Sequence, residues 1–333
     1  MRNSISTIPV LIVILISFFS CTKPDSELKL KQLSTKATQI DNDFKNIRLE
    51  VEILGKEIAD LYVKQNAVLP TIKTNKYELA ANGVFTKPMN DGGSAVFVSG
   101  VTAVNQNIKD IVYFTEPLDS NFKALAKKYP EIVQLYYNDK NSYNRIYPYF
   151  DVLSQYEAKM NIPDFNFYYL ADAKHNPKRK SLWVNEPYVD PAGRGWMVSA
   201  IAPVYYKNEM VGVPGIDVTI NTITQRYLQD NIGSMVIIID NSGSIVTAQE
   251  DVINLLSFPP LYDHKYIETI KQDTFRKERY NLALSREANV RTIATEILKN
   301  KKQVLETELN GEKATVIAVR IPELNWYLLE IIL

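Results

Sequence analysis

The sequence contains few of the residues from which catalytic and metal sites are most often built. Of its 333 residues, two are histidines and one is a cysteine. His175 and His264 have no spacing typical of a metal site. Asp263 and His264 could in principle assist a serine nucleophile, but no nucleophile elbow or oxyanion motif accompanies them. The sequence therefore predicts no enzyme activity, no metal and no cofactor.

Other sequence features that commonly indicate a ligand give equally weak signals. Gly193-x-Gly195 lies between predicted strands, without the helix that a phosphate site needs. Lys and Arg together number 38, as do Asp and Glu, so no net charge favours nucleic acid or anionic lipid. The 20 tyrosines suit the wall of a binding pocket, although they suit a β-rich core equally well.

Residues 1–21 are interpreted as a targeting segment. Arg2 precedes an apolar run from Ile8 to Phe19, which is too short to span a bilayer comfortably. Phe18-Phe19-Ser20-Cys21 resembles a bacterial lipobox, although Phe18 stands where such motifs prefer Leu. The resemblance implies lipidation at Cys21 and an extracytoplasmic protein anchored to the cell envelope. A soluble secreted protein and an uncleaved anchor remain the alternatives, and no second apolar run of about 20 residues follows.

A long N-terminal helix is predicted over residues 25–69. Apolar residues recur at alternating spacings of three and four from Leu30 to Leu61, and Pro70 ends the pattern. Additional apolar residues widen the stripe beyond a coiled-coil seam. For the upper half we expect packing on the chain's own domains. For the lower half, Leu30 to Phe44, contact with a second copy or a partner helix is an equal alternative.

The segment from Trp183 to Thr219 reads as an antiparallel meander of three strands. Turn residues follow at Asp190-Pro-Ala-Gly193 and at Lys207-Asn208-Glu209, and an amphipathic run begins near Asn221. Upstream, we expect a loop over 75–93, helices over 119–128 and around 147–156, and strands over 132–137 and 165–170. Downstream, we expect a hairpin over 235–246, a helix over 281–298, a hairpin with its turn at Asn310-Gly311, and a closing strand over 325–333.

The meander resembles the core of the double Cache family of extracytoplasmic sensors. Trp-x-x-x-Pro-Tyr-x-Asp at 183–190, Met-Val-Ser at 197–199, Pro-Val-Tyr at 203–205 and Gly-x-x-Gly-x-Asp at 212–217 stand in the family's order. The resemblance implies an α+β fold, in which the long helix precedes two PAS-like modules, each an antiparallel sheet flanked by helices. We assign residues 70–232 to a membrane-distal, ligand-binding module and 233–333 to a membrane-proximal module.

The resemblance also implies where a ligand would bind. In members that bind amino acids, a helix-borne Arg takes the ligand carboxylate and a later Asp takes its ammonium. Arg145-Ile-Tyr147 and Asp217 match these positions, although Pro148 replaces the second aromatic residue of the first motif. Five further residues are candidates for the pocket wall: Phe167, Tyr169, Trp183, Tyr188 and Asp190. The structural alternatives are a surface salt bridge for Arg145, with Asp151 as a candidate partner, and a helix-capping role after Thr219 for Asp217.

The predicted function is extracytoplasmic sensing of a small molecule, for which a carboxylate or an amino-acid-like metabolite is the candidate. Because no output domain follows the second module, we expect the signal to pass to a membrane-bound partner protein. A lipoprotein that captures a solute for a transporter is the first alternative. A structural envelope lipoprotein without a ligand is the second.

Overall fold

The computed structural model describes residues 23–228, 235–259 and 280–333, with side chains from Ser26 onward. The predicted targeting segment and Cys21 therefore lie outside the described residues, as does the predicted module boundary at 232–233. No helix in these ranges is both long and apolar enough to cross a bilayer.

Helix α1 extends from Lys23 to Val68, and a 3₁₀ turn over Leu69–Thr71, containing Pro70, follows it. Proline disfavours continuation of a helix because it lacks the backbone N–H. The predicted apolar seam is the buried face of α1: Leu33, Ala37, Ile40, Phe44, Ile47, Val51, Leu54 and Ile58 are each at most 3% exposed. The apolar period therefore marks the packed face of the helix along most of its length.

The lower half of this seam does not face a second copy. Leu33, Ile40 and Phe44 are buried in the core of the chain itself, where α1 packs on the second sheet. The expectation that Leu30 to Phe44 forms an intermolecular seam is wrong, because the chain's own strands already cover it. The additional apolar residues behave differently, since Leu28, Leu49 and Ile53 are 43–55% exposed.

The first sheet has nine strands among the described residues. They are β1 (Glu78–Leu79), β2 (Phe85–Thr86), β3 (Ala95–Val98), β4 (Gln134–Asp139), β5 (Tyr143–Tyr147), β6 (Leu182–Val189), β7 (Trp196–Ile201), β8 (Val204–Tyr206) and β9 (Glu209–Thr219). Their order is β1-β2-β3-β5-β4-β9-β7-β6, β8 also pairs with β9, and every pairing is antiparallel. The meander predicted from Trp183 onward corresponds to β6, β7 with β8, and β9.

Helices cover both faces of this sheet. Helices α2 (Gln106–Phe114) and α3 (Leu118–Lys128) share the hydrophobic core of α1 on one face. The segment that contains the short helices α4 (Val152–Gln155) and α5 (Asn166–Tyr169) covers the other face. Successive strand residues point to opposite faces, so each strand contributes to both layers.

Three local predictions for this module were wrong. Helix α2 was not predicted, and the segment expected as a loop over 75–93 contains β1 and β2. Of the helix expected around 147–156, only Val152–Gln155 is helical, and the motif at 145–147 that resembles a helix-borne one lies in strand β5, which pairs with both β3 and β4. Residues 165–170 form α5 instead of a strand, because they lie across the sheet face and bury Phe167 and Tyr168 there.

Helix α6 (Ile220–Tyr227) leads from β9 toward the second sheet, and Thr219 caps its N-terminus by accepting from Thr222 N. The second sheet has the order β11-β10-β14-β13-β12. Its strands are β10 (Met235–Asp240), β11 (Ile245–Ala248), β12 (Val304–Leu309), β13 (Glu312–Ile321) and β14 (Trp326–Ile332). Asn310 and Gly311 both have positive φ between β12 and β13, as their turn motif predicts.

The second sheet is likewise covered on both faces. Helices α7 (Glu250–Leu255) and α8 (Ala288–Leu298) bury one face, while α1 packs on the other. The predicted helix over 281–298 begins later than expected, at Ala288, after a 3₁₀ turn at Leu282–Leu284. Because α1 packs on both sheets, its apolar face joins them in one core.

Candidate functional site

The candidate site lies on the first sheet, on the face that α4 and α5 cover. Asp217 occupies the central strand β9, opposite Gln134 of β4 and Ser199 of β7. Cross-strand neighbours on one face stand close enough for their side chains to bond. Gln134 Nε2 donates to Asp217 Oδ2 at 2.6 Å, and Ser199 Oγ lies 2.5 Å from Asp217 Oδ1. The pairing of three strands therefore fixes one buried carboxyl group.

A second carboxyl group approaches from the turn between β6 and β7. Asp190 Oδ1 accepts from Ala192 N and its Oδ2 accepts from Arg194 N, which holds the turn closed. Gly193 and Gly195 have positive φ of 83° and 103°, a conformation that glycine adopts without steric cost. The Asp-Pro-Ala-Gly turn motif thus positions an acid at the edge of the site.

Both acids are held in an environment that disfavours their charged forms. Burial raises the pKa of Asp217 to about 8, and the neighbouring Asp190 adds to this effect, while bonds from Ser199 and Gln134 oppose it. Burial also raises the pKa of Asp190, although backbone N–H groups of Ala192 and Arg194 counteract it. Two nearby carboxyl groups in a buried site resist simultaneous ionisation.

Aromatic side chains enclose these acids. Phe167 packs edge-on against Tyr136 at 5.9 Å and lies 5.6 Å from the Tyr188 ring, both measured between centroids. The Tyr188 hydroxyl reaches Ser199 Oγ at 2.6 Å. The ring of Tyr136 lies against β9 at Gly215, where an added Cβ would come within 2.0 Å of the ring. Only glycine at 215 permits Tyr136 this position.

Together these groups line a cavity of about 20 Å³, which is room for roughly one water molecule. Two amide oxygens at the cavity, Gln134 Oε1 and Asn144 Oδ1, are buried and have no hydrogen-bond donor among the described residues. The lining contains neither Lys, Arg nor His; it consists of Gln134, Tyr136, Asn138, Asn144, Ile146, Tyr156, Met160, Ile162, Phe167, Tyr188, Asp190, Pro191 and Asp217. The cavity thus offers acceptors and acids, and no cation lines it, although the nearby Arg194 charge partly offsets the raised pKa of both acids.

Four of the eight predicted ligand contacts meet at this cavity: Phe167, Tyr188, Asp190 and Asp217. The other four lie elsewhere. Trp183 packs against Phe44 of α1, with ring centroids 5.1 Å apart. Tyr169 is 37% exposed and contacts His175, and Tyr147 packs in the core shared with α1.

The prediction for Arg145 requires a correction. Its side chain is fully buried on β5, on the sheet face opposite the cavity, beneath α2 and α3. The guanidinium donates to Asp119 Oδ1 at 2.8 Å and to the backbone carbonyl of Val112 at 2.8 Å. It also donates to the hydroxyls of Tyr143 and Tyr77. Arg145 therefore lies away from the cavity, and its salt bridge is buried and made with Asp119, not at the surface with Asp151 as the alternative had it.

Sequence reasoning missed the contributions of β4 and β5 to the cavity. Gln134, Tyr136 and Asn138 alternate along β4 and face the cavity, while Leu135 and Tyr137 face the core shared with α1. Asn144 and Ile146 do the same on β5. Polar residues at every second position of a buried strand are a detectable signal. On β5 the signal was hidden because the family resemblance implied that Arg145 lies on a helix.

Comparison with solved structures finds the same architecture in the extracellular domains of other proteins. The extracellular domain of the putative histidine kinase mmHK1S-Z3 aligns over 93% of this chain and 94% of its own, with a TM-score of 0.52 and 14% identity. This chain has the double Cache fold. No family model and no curated protein matches its sequence.

Two chemoreceptor domains with this fold are about as similar to this chain as the histidine kinase domain is. The ligand-binding domain of PctB from Pseudomonas aeruginosa PAO1, in complex with L-Arg, aligns over 93% of this chain and 95% of its own, with a TM-score of 0.51 and 13% identity. The sensory domain of Tlp3 from Campylobacter jejuni, with isoleucine bound, aligns over 95% of this chain and 97% of its own, with a TM-score of 0.52 and 12% identity. At these identities the likeness concerns the double Cache fold.

Proposed function

We propose that this double Cache protein is an extracytoplasmic sensor whose distal cavity binds a small cationic amine. The observation that carries the proposal is the composition of the cavity. The carboxyl groups of Asp190 and Asp217 stand beside unpaired amide oxygens, and the lining contains no cation. An ammonium donates hydrogen bonds and carries the charge that these groups lack.

The cavity is a poor match for the carboxylate of an amino acid. Arg145, the residue expected to bind a carboxylate, is committed to Asp119 and three other oxygen atoms on the opposite face of the sheet. The similar chemoreceptors carry L-Arg and isoleucine, both of which have an ammonium group. We infer that this chain recognises the ammonium part of such a ligand and not a carboxylate.

Binding would require the covering segment to move. Tyr156, Met160, Ile162 and Phe167 close the cavity over the sheet, and the remaining space suits about one water molecule. An amine with a short apolar body would displace these side chains and stack against Tyr136 and Tyr188. The faces of these aromatic rings would attract the ammonium group.

A thermal-shift screen tests the proposal on the chain lacking residues 1–21. Alkylamines and methylated amines should raise the melting temperature, because a ligand that binds only the native state stabilises it. Short carboxylates should have no such effect. Asp217→Asn should abolish the amine response. Asp139→Asn is a matched control, because Asp139 is a buried acid on the other face of β4, bonded to Tyr62 of α1.

A melting temperature that rises with carboxylates and not with amines would contradict the amine assignment. A second candidate function, a double Cache lipoprotein that binds nothing in its distal module, is favoured by the small cavity volume. In that case neither class of compound would shift the melting temperature, and Asp217→Asn would change stability alone.

Anchoring and output are further parts of the proposal. Cys21 would carry a lipid, so Cys21→Ser should release the protein from the membrane fraction or leave its precursor uncleaved. Unchanged mass and membrane retention of that variant would exclude lipidation. The signal would pass to a membrane-bound signalling protein. Service to a transporter is the competing role, and crosslinking in cells to a permease instead of a kinase or cyclase would support it.

A further inference from the structure

A second, larger cavity lies where the two sheets meet. It has a volume of about 330 Å³, within the range of small-molecule sites and far above that of the distal cavity. One wall comes from β6, the turn after it and the start of β7. The other wall comes from the hairpin of β10 and β11 together with Tyr280. We call this space the intersheet cleft.

The floor of the intersheet cleft ties the two sheets together. Thr224 of α6 and Thr247 of β11 both line it, and their hydroxyl oxygens are 2.6 Å apart. A molecule in the cleft would therefore contact the first sheet, α6 and the second sheet at once.

The walls combine apolar and aromatic side chains with polar ones. Pro187 and Trp196 line the side of the first sheet, Ile220 lies at the start of α6, and Val246 and Tyr280 line the opposite side. Trp196 and Val246 are partly exposed, so apolar surface faces the open space. Such walls suit a ligand with an apolar or aromatic body.

The charges of the cleft favour an anion. The lining contains one cation, Arg194, and one acid, Asp240. Asp240 Oδ1 already accepts from Ser242 N, Ser242 Oγ and Ser244 N, which hold the turn between β10 and β11. Helix α6 also begins at the cleft, and its N-terminus adds a positive potential.

We propose that the intersheet cleft binds a small organic anion, whose charged group pairs with the Arg194 guanidinium and whose apolar body lies between Trp196 and Tyr280. A guanidinium presents a planar set of donors that matches a carboxylate or sulfonate. The two cavities share no lining residue, although the Arg194 charge also acts on Asp190 and Asp217 at the distal cavity, where it partly offsets their raised pKa.

A pair of dyes tests the proposal on the chain lacking residues 1–21. 8-Anilinonaphthalene-1-sulfonate is an aromatic anion, and N-phenyl-1-naphthylamine is the same skeleton without the sulfonate. Fluorescence titration should show one sulfonate dye bound per chain. Arg194→Gln should weaken binding of the sulfonate dye at least about tenfold, since a charge-assisted pair is lost. It should change binding of the uncharged dye less than about threefold.

Three more variants complete the test. Val246→Trp should fill the cleft and abolish binding of both dyes. Arg320→Gln is the matched control, because Arg320 is exposed on β13 and pairs with Asn325, and it should change neither affinity. Asp217→Asn should leave the binding of both dyes unchanged, whether or not the distal cavity binds an amine.

Equal binding of the sulfonate dye to the original chain and to Arg194→Gln would overturn the proposal. So would a loss of dye binding in Asp217→Asn, because the dye would then occupy the distal cavity. If Val246→Trp fails to fold, as judged by near-ultraviolet circular dichroism, the comparison of the two dyes on Arg194→Gln still decides.

Discussion

Asp217 illustrates how the strand pairing of a single residue sets its chemistry. Its neighbours on β4 and β7 supply Gln134 and Ser199, and the covering aromatic rings separate it from bulk solvent. A carboxyl group in this position keeps its proton at neutral pH, since its pKa is raised to about 8. An arriving ammonium would have to expel that proton. Ligand affinity should therefore increase with pH up to about 8.

The raised pKa of Asp217 predicts a pH-dependent stability. Between pH 4 and pH 8 the folded state retains a proton that the unfolded state has lost, so the free energy of unfolding falls as pH rises. One such group contributes up to about 1.4 kcal/mol per pH unit. Urea unfolding at pH 6 to 8 should show this decline, and Asp217→Asn should flatten it.

Asp139 provides the control for this measurement. Burial raises its pKa to about 6, so its own contribution is lost mainly below the pH 6 to 8 interval. Asp139→Asn should leave the slope above pH 6 intact. A slope that is the same in Asp217→Asn and in the original chain would show that Asp217 ionises normally.

The buried position of Arg145 predicts that its substitution lowers folding stability and does not act through ligand binding. Asp119 is largely buried, and although burial raises its pKa, the Arg145 charge and bonds from Ser94 hold that pKa below the usual value. Arg145→Met leaves this carboxylate without its counterion. Removing one partner of a buried ion pair costs about 3–5 kcal/mol.

Urea unfolding at pH 7 measures this cost. The exposed Arg320→Met is the control and should lie within about 0.5 kcal/mol of the original chain. An Arg145→Met protein of unchanged stability that has lost ligand binding would restore the role expected from the sequence.

At the scale of elements, α1 shows why an apolar seam does not identify its partner. Its spacing of three and four is compatible with a coiled coil or with packing on a sheet. The structure places both halves of the seam on the chain's own strands. The apolar spacing of α1 therefore reflects packing within the chain. The outer face of the helix carries the exposed Leu49 and Ile53.

This packing predicts that seam substitutions change folding stability. Ile40 is fully buried, so Ile40→Ala should lower the free energy of unfolding by about 2–5 kcal/mol through lost burial and a cavity. Leu49→Ala, on the exposed face, should change it by less than about 0.5 kcal/mol. Urea unfolding and light scattering should be measured together. A stable Ile40→Ala protein of halved mass would show that the seam joins two copies.

At the scale of the whole molecule, Phe44 lies where α1 meets both sheets. Its ring centroid is 5.1 Å from that of Trp183 on β6 and 6.4 Å from that of Trp326 on β14. The two sheets therefore share one continuous core along α1. A shared core favours unfolding in a single cooperative step.

Phe44→Ala should weaken both sheets together. Loss of a buried phenylalanine costs about 3–5 kcal/mol. Variants that keep only Trp183 or only Trp326 beside a native Trp196 allow each sheet to be followed by fluorescence during urea unfolding. We expect coincident transitions at a lowered midpoint. Separate transitions, with only one of them shifted, would show that the sheets unfold independently.

The sequence by itself determined the elements whose patterns are local. The apolar period fixed α1, and Pro70 its end; turn residues fixed the meander and the hairpin at Asn310-Gly311. The order of its motifs also predicted the double Cache fold. Asp190 and Asp217 were predicted from motifs and do meet at one cavity. The helix, the meander and the hairpin depend on residues close together in the chain.

Only the tertiary structure decided which face each residue occupies. Arg145 and Asn144 are neighbours in sequence, yet β5 directs one into the core beneath α2 and the other into the cavity. The intersheet cleft likewise depends on how α6 brings β11 next to β7. A shift of one residue in the register of a strand moves each side chain to the opposite face of the sheet. The function of a strand residue therefore follows from long-range strand pairing, which the local sequence does not specify.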